Sequence, residues 1–269
     1  MKNRTFFGIL SFLTLLACER DVTLDETFTE NKLVVQSFIS PQDTIITVRV
    51  SGTNPAVGIV SSPNKWIANA NVSISDGKTT LILPHEKFGY YKIKVGDFKI
   101  EPNKEYFLKV NTPNGRVAEA SCIVPVTTLK PAMLLSTISA VNGQSNLVLV
   151  KWQDEANKKN YYGAWFGFDK ITAGCSTGKT SFISDLGNDG RTIAYSSYFQ
   201  PACNAGEKKI KLFVAVYDEN FYEFFQTLND QTETNGIPFT ENIQVFTNIK
   251  GGYGIFSGYN IVSTTVAYQ

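Results

Sequence analysis

Chemistry in this chain rests on four kinds of side chain: its cysteines, a single histidine, the loops rich in glycine, and its carboxylates. Of Cys18, Cys122, Cys175 and Cys203, the first stands apart. Ahead of it, Lys2 and Arg4 form a short positive segment, and Phe6 to Leu16 is an uninterrupted run of apolar and small residues. That run is too short to span a bilayer as a mature helix. A charged start, an apolar centre and a small-residue cleavage site make a secretory signal, not a folded element. Cleavage falls just before Cys18, and Leu15-Leu16-Ala17-Cys18 fits the Leu-x-Ala/Gly-Cys pattern of a bacterial lipoprotein signal. The predicted chemistry is a diacylglyceryl thioether on the Cys18 sulfur, removal of residues 1–17, and acylation of the new N-terminus. Three acyl chains anchor stably where one is marginal, because each buried methylene contributes ~0.8 kcal/mol.

The other candidates give less. Exported chains meet an oxidising compartment in which thiols pair. Cys175 and Cys203 lie in neighbouring loop-like segments, Ala173-Gly174-Cys175-Ser176 and Gln200-Pro201-Ala202-Cys203-Asn204, and form the expected disulfide. Cys122, in Ala120-Ser121-Cys122-Ile123-Val124, is expected to be a small buried apolar residue. The segment from Gly174 to Thr180 has one residue too few between its glycines for a phosphate-binding loop, so no nucleotide is expected. Asp185-Leu186-Gly187-Asn188-Asp189-Gly190 lacks the closing Glu of a calcium loop and is read as a turn capping a hairpin. His85, the only histidine, excludes any site of several histidines and is expected in a surface loop. The 24 acids are scattered and single out no catalytic pair. No catalytic, cofactor-binding or metal-binding residue is assigned, and the chain is expected not to be an enzyme. Trp152 and Trp165 are expected in the core. Trp66, beside the long Thr53–Ile67 loop, is the candidate exposed contact.

The elements that must carry these residues are strands. In 269 residues, 43% are hydrophobic and 13% aromatic, a globular and β-favouring composition. Net charge is +1, or 1 − 2 = −1 once Lys2 and Arg4 leave with the signal, which lacks the basic footprint of a nucleic-acid binder. No later apolar run is long enough for a transmembrane helix. Residues 18–30 are short, polar and acid-rich, a tether. From residue 31, about seven short strands are predicted: residues 33–39, 44–50, 71–75, 79–83, 90–95, 106–110 and 117–124. Asp76-Gly77 and Asn114-Gly115 supply tight turns that need positive φ. Regular strands without intervening helices predict an antiparallel, Ig-like β-sandwich over 31–125. Pro125 to Pro131 marks a boundary. Over 126–269 a second domain is predicted, since Asn146 to Asp154 resembles the fibronectin type III strand that ends in a core Trp. Clean alternation marks Lys209 to Tyr217. Phe221, Phe224, Phe225 and Leu228 fall on one face of an amphipathic helix near 220–231, with Asn220 and Glu223 as its capping pair. A strand is also predicted over 242–249. The fold class is thus mainly all-β, two tandem sandwiches with one helix in the second.

Five features now coincide: the Cys18 signal, the opening Asn31-Lys32-Leu33-Val34-Val35, Asn69-Ala70-Asn71-Val72, Lys151-Trp152-Gln153-Asp154 before Tyr161-Tyr162, and Asn248-x-x-Gly251-Gly252-x-Gly254-Ile255-Phe256-x-Gly258-Tyr259. Together they resemble the Bacteroidetes outer-membrane lipoproteins grouped as domain-of-unknown-function family 4249, over essentially the whole mature chain. The glycine-rich segment near the end is the most specific part. That resemblance implies a protein held at the outer membrane through its lipid and encoded beside a TonB-dependent receptor, with no catalytic residues to transfer. The function expected is an accessory or binding subunit of that receptor in nutrient uptake. The alternative is a surface adhesin or structural envelope module, because tandem sandwiches serve such roles.

Overall fold

The computed structural model describes residues 32–53, 65–140, 143–168, 181–199, 209–234 and 243–267. Strands alternate between buried and outward side chains, as half-buried sheets require. In β1 (Leu33–Ile39), Leu33, Val35, Ser37 and Ile39 are buried on the side of the first core, while Val34, Gln36 and Phe38 lie half-buried on the other face, where Phe38 packs on Phe221 and Phe225 of the helix. The rest of the first half is β2 (Ile45–Gly52), β3 (Asn71–Ser75), β4 (Thr80–Leu83), β5 (His85–Lys87), β6 (Tyr90–Lys94), β7 (Glu105–Asn111) and β8 (Val117–Ile123). The second half holds β9 (Ala132–Ala140), β10 (Gly143–Gln153), β11 (Tyr161–Gly167), β12 (Ile183–Ser184), β13 (Thr192–Phe199), β14 (Lys209–Tyr217), the helix α1 (Glu219–Thr234) and β15 (Gly252–Ala267). The Asp76-Gly77 turn forms as read: Gly77 sits at φ +85, and Asp76 Oδ1 accepts from the backbone N–H groups of Lys78 and Thr79.

The fold is mainly β, as expected. One long sheet of eight strands, in the order β12-β11-β14-β15-β1-β2-β6-β5, is accompanied by the sheets β4-β3-β7-β8 and β13-β10-β9. A first core lies between the β1-β2-β6 part of the long sheet and the four-stranded sheet, around Val35, Val48, Val72, Tyr91 and Tyr106. A second lies among β10, β11, β13 and β14, around Val150, Trp152, Tyr162, Phe166 and Leu212. A third, smaller cluster of Tyr161, Ala215 and Tyr217 packs against Phe221 and Tyr222, and the long sheet draws strands from both sides of residue 125. β15, the last strand, runs antiparallel to β14 and parallel to β1, and Phe256 belongs to the first core. Parallel pairing needs a long crossover, and sequence neighbours alone could not reveal it.

Other differences are local. β9 was hidden in the segment after Pro131. Residues 243–249 form no strand, because side chains and not a ladder hold them. The helix is capped by Asp218, whose Oδ1 accepts the Phe221 N–H at 2.8 Å, and not by Asn220. A carboxylate accepting from the third residue on satisfies one of the helix's orphan donors. The Asp185–Gly190 turn does not cap a hairpin: it passes from β12 in the long sheet to β13 in the three-stranded one. His85 lies in β5 against the Tyr91 ring, not in a loop.

Candidate functional site

The chain enters its first strand at Lys32, and the surrounding strand ends decide what that end of the molecule presents. Leu33 is aligned with Gly52 at the end of β2 and with Gly252 at the start of β15. The β5–β6 turn arrives at the same level, with Gly89 O accepting the Val50 N–H at 2.8 Å. Lys65 O accepts the Gly52 N–H at 2.9 Å, and Trp66 bridges to Ser51. The turn after β7 joins this end as well: Asn111 is aligned with Asn71, and Lys250 exchanges backbone bonds with Glu119. Across residues 32–33, 50–53, 65–71, 87–90, 111–117 and 249–253 there are five cations, Lys32, Lys65, Lys87, Arg116 and Lys250, and no carboxylate. The acids just beyond, Glu86 and Glu119, are each engaged by a lysine, Lys92 at 2.7 Å and Lys109 at 2.6 Å.

Aromatic rings are interleaved with these cations. Trp66 is half-buried, with the Arg49 guanidinium 4.3 Å over its ring and 5.4 Å from that of Tyr90. Such stacking holds a cation without a carboxylate. Lys32 lies over Tyr253, which is 39% exposed. Phe88 forms the tip of the β5–β6 turn at φ +50 and is 62% exposed. Trp66, expected as an exposed contact, is thus a platform under Arg49, and the more exposed ring is Phe88. These residues sit at or near strand ends and in the segments between strands, so only the alignment of the strands could have grouped them from sequence.

The glycine-rich segment is structural. β15 lies against β1 through Gly252 and Gly254, and a Cβ on Gly254, at φ +112, would meet the Val35 backbone. Asn248 supplies the bonds a neighbouring strand would give: its Oδ1 accepts the Phe256 N–H at 3.0 Å, and its Nδ2 donates to Phe256 O at 2.7 Å and Ser121 O at 3.2 Å.

Two carboxylate sites have chemistry to weigh. Asp154, Asp185 and Asp189 bring oxygens within 4.8 Å of one another at the base of the second core. Asp154 Oδ1 accepts from Tyr162 OH and Asn160 Nδ2, and its Oδ2 from the Gly190 N–H at 2.7 Å. Asp185 and Asp189 accept the backbone N–H groups of Asn160 and Asn157. These acids tie the turn to β10 and β11. Asp218, between β14 and α1, accepts from Phe221 N, Ser257 Oγ and Gly258 N. Burial nevertheless pushes its carboxyl up to about 6. Beside it, Tyr217, Phe221, Phe225, Phe38 and Phe182 form a continuous ring stack under the helix. The aromatic helix face is accordingly spent on packing, with Phe224 buried and Leu228 at its exposed margin.

Of the residues singled out by sequence, Cys18, Cys175 and Cys203 lie outside the described residues, as does the Gly174–Thr180 loop. Cys122 is buried in β8, and burial raises its thiol well above the ordinary range. Trp152 is buried edge-on to Tyr162, and Trp165 stacks on Phe213. Among the described residues, no helix is long and apolar enough to cross a membrane.

A comparison with curated proteins finds no match. A protein-family model does match, over residues 19–265: the family described as a domain of unknown function, DUF4249. That span takes in Asn248, Gly254 and Asp154, the residues on which the two cores and their shared strand turn, and so the chain belongs to the DUF4249 family.

Proposed function

We propose that this protein is a non-enzymatic lipoprotein of the outer membrane, tethered through Cys18 and serving as an accessory or binding subunit beside a TonB-dependent receptor in nutrient uptake. The observation that carries the reading is Leu15-Leu16-Ala17-Cys18 behind a charged start and a short apolar run. It is the one motif here with a definite covalent chemistry. The geometry is in keeping with it: the chain reaches β1 at an edge of the fold where strand ends meet, a natural place for a tether to leave. The buried acids favour a scaffold over an active site, since Asp154 and Asp218 are occupied by backbone and side-chain donors. Asp154 and Asp185 are buried and Asp189 exposed, and closeness of three carboxylates at a turn does not by itself make a catalytic pair.

The anchor is tested by labelling with radioactive palmitate. Cys18→Ser is expected to abolish the label and leave uncleaved precursor, and unchanged labelling would sink the lipoprotein reading. The partnership is tested by purification from native membranes in mild detergent. Co-enrichment of a β-barrel receptor is expected; recovery of the protein alone would favour the envelope-module reading instead.

A further inference from the structure

We propose that the end of the molecule where β1 begins is a membrane-docking face, one that seats on the phosphate headgroups of anionic glycerophospholipid. The proposal goes beyond the lipid anchor but rests on the same orientation, since Cys18 precedes Lys32 by 32 − 18 = 14 residues. Fourteen residues span at most about 50 Å. With the anchor of the proposed function, the tether joins the fold at this end, which brings it nearer the bilayer than the opposite one.

What that end offers suits a headgroup layer. Five cations lie at this end against two carboxylates, Glu86 and Glu119, each already ion-paired to a further lysine, whereas the opposite end carries Asp43, Asp76, Asp97, Glu101 and Glu105 among its lysines. Phe88 projects from the β5–β6 turn at 62% exposure with Lys87 beside it, and Tyr253 and Val117 are 39% and 42% exposed. Aromatic rings with a polar or cationic neighbour favour the membrane–water interface. Basic residues near an anionic surface contribute roughly fivefold in affinity per charge. The rigid setting matters too: Gly89 is pinned to Val50, and Trp66 is held beneath Arg49, so Phe88 and Lys87 are presented on a fixed turn. Residues 19–30, with five acids and one arginine, are the competing occupant, and the experiment separates the two.

The test uses the mature chain with Cys18→Ser, so that acylation plays no part. Co-sedimentation is measured with vesicles of phosphatidylethanolamine and phosphatidylglycerol, and with vesicles of phosphatidylethanolamine and phosphatidylcholine. Binding is expected to the anionic vesicles only and to weaken with salt. Lys87→Glu should reduce it about 25-fold, two charges at roughly fivefold each. Phe88→Ser should reduce it further, and Lys78→Glu, on the β3–β4 turn at the opposite end, should leave it unchanged. Equal binding to both vesicles, no binding, or indifference to Lys87→Glu overturns the proposal. So does binding that emerges only when residues 19–30 are deleted, which would assign the basic end to the acidic tether. Failure of palmitate labelling with vesicle binding intact would remove the anchor and leave the docking face standing.

Discussion

Gly254→Ala is the substitution that most directly tests how the fold is joined. Gly254 is aligned with Val35 in the parallel pairing of β15 with β1, at φ +112. An L-residue there leaves the ordinary regions of backbone space, at a cost of about 1–2 kcal/mol. The added methyl also lies 2.9 Å from the Val35 carbonyl carbon and 3.1 Å from its nitrogen, closer than the 3.4 Å at which ordinary contact begins. Backbone cannot rotate aside as a side chain can, so the strands must part. Losing two ladder bonds costs about 1–3 kcal/mol more. The expected loss is therefore roughly 2–5 kcal/mol, a large share of a typical domain's stability. Gly115→Ala is the matched control: φ is +82 and nothing lies within 4 Å of the added Cβ, so only the backbone strain of about 1–2 kcal/mol applies. Denaturant unfolding of the mature chain, with midpoints compared at equal slope, measures both. Equal losses in the two variants would show that close approach to β1 is not why glycine stands at 254, and the account of the glycine-rich segment would fail.

Three further outcomes follow from the same geometry. Asn248→Ala strands the buried Phe256 N–H and the Ser121 and Phe256 carbonyls, and should cost about 2–4 kcal/mol in the same unfolding assay. Asp218 titrates near 6 when folded against 3.8 ordinarily, so the native state binds the proton more tightly than the unfolded chain. Its contribution is favourable below pH 3.8 and is lost as pH rises to 6. The stability of the parent relative to Asp218→Asn should fall by ~3 kcal/mol across that window, at 1.36 kcal/mol per pH unit, and a pH-independent difference would refute the assignment. For the cysteines, a gel-mobility shift on reduction should persist in Cys122→Ala, whose thiol is buried in β8, and vanish in Cys175→Ala.

Most strands of the first half were legible because they alternate and end on a turn with a local cause; β5, three residues long and without alternation, was not. Residues 33–39 and 71–75 were placed to the residue, and Asp76-Gly77 forms its turn with bonds inside four residues. Much of what escaped depends on partners far along the chain. Asp218 caps α1 and also binds Ser257 and Gly258, some forty residues on. Asn248 replaces a ladder for Phe256 and reaches back to Ser121, so residues 243–249 carry strand-like composition without being a strand. The basic end is the extreme case. Lys32, Lys65, Lys87, Arg116 and Lys250 are spread over most of the chain, and a net charge near zero hides them, because the acids balancing them lie at other strand ends. Composition averages over position, whereas a sheet sorts residues by whether they begin or finish a strand. In a β protein, then, surface charge asymmetry becomes visible only once the register is known. The five-cation end, next to the point where the tether joins, is the part of the candidate site that no motif could have supplied.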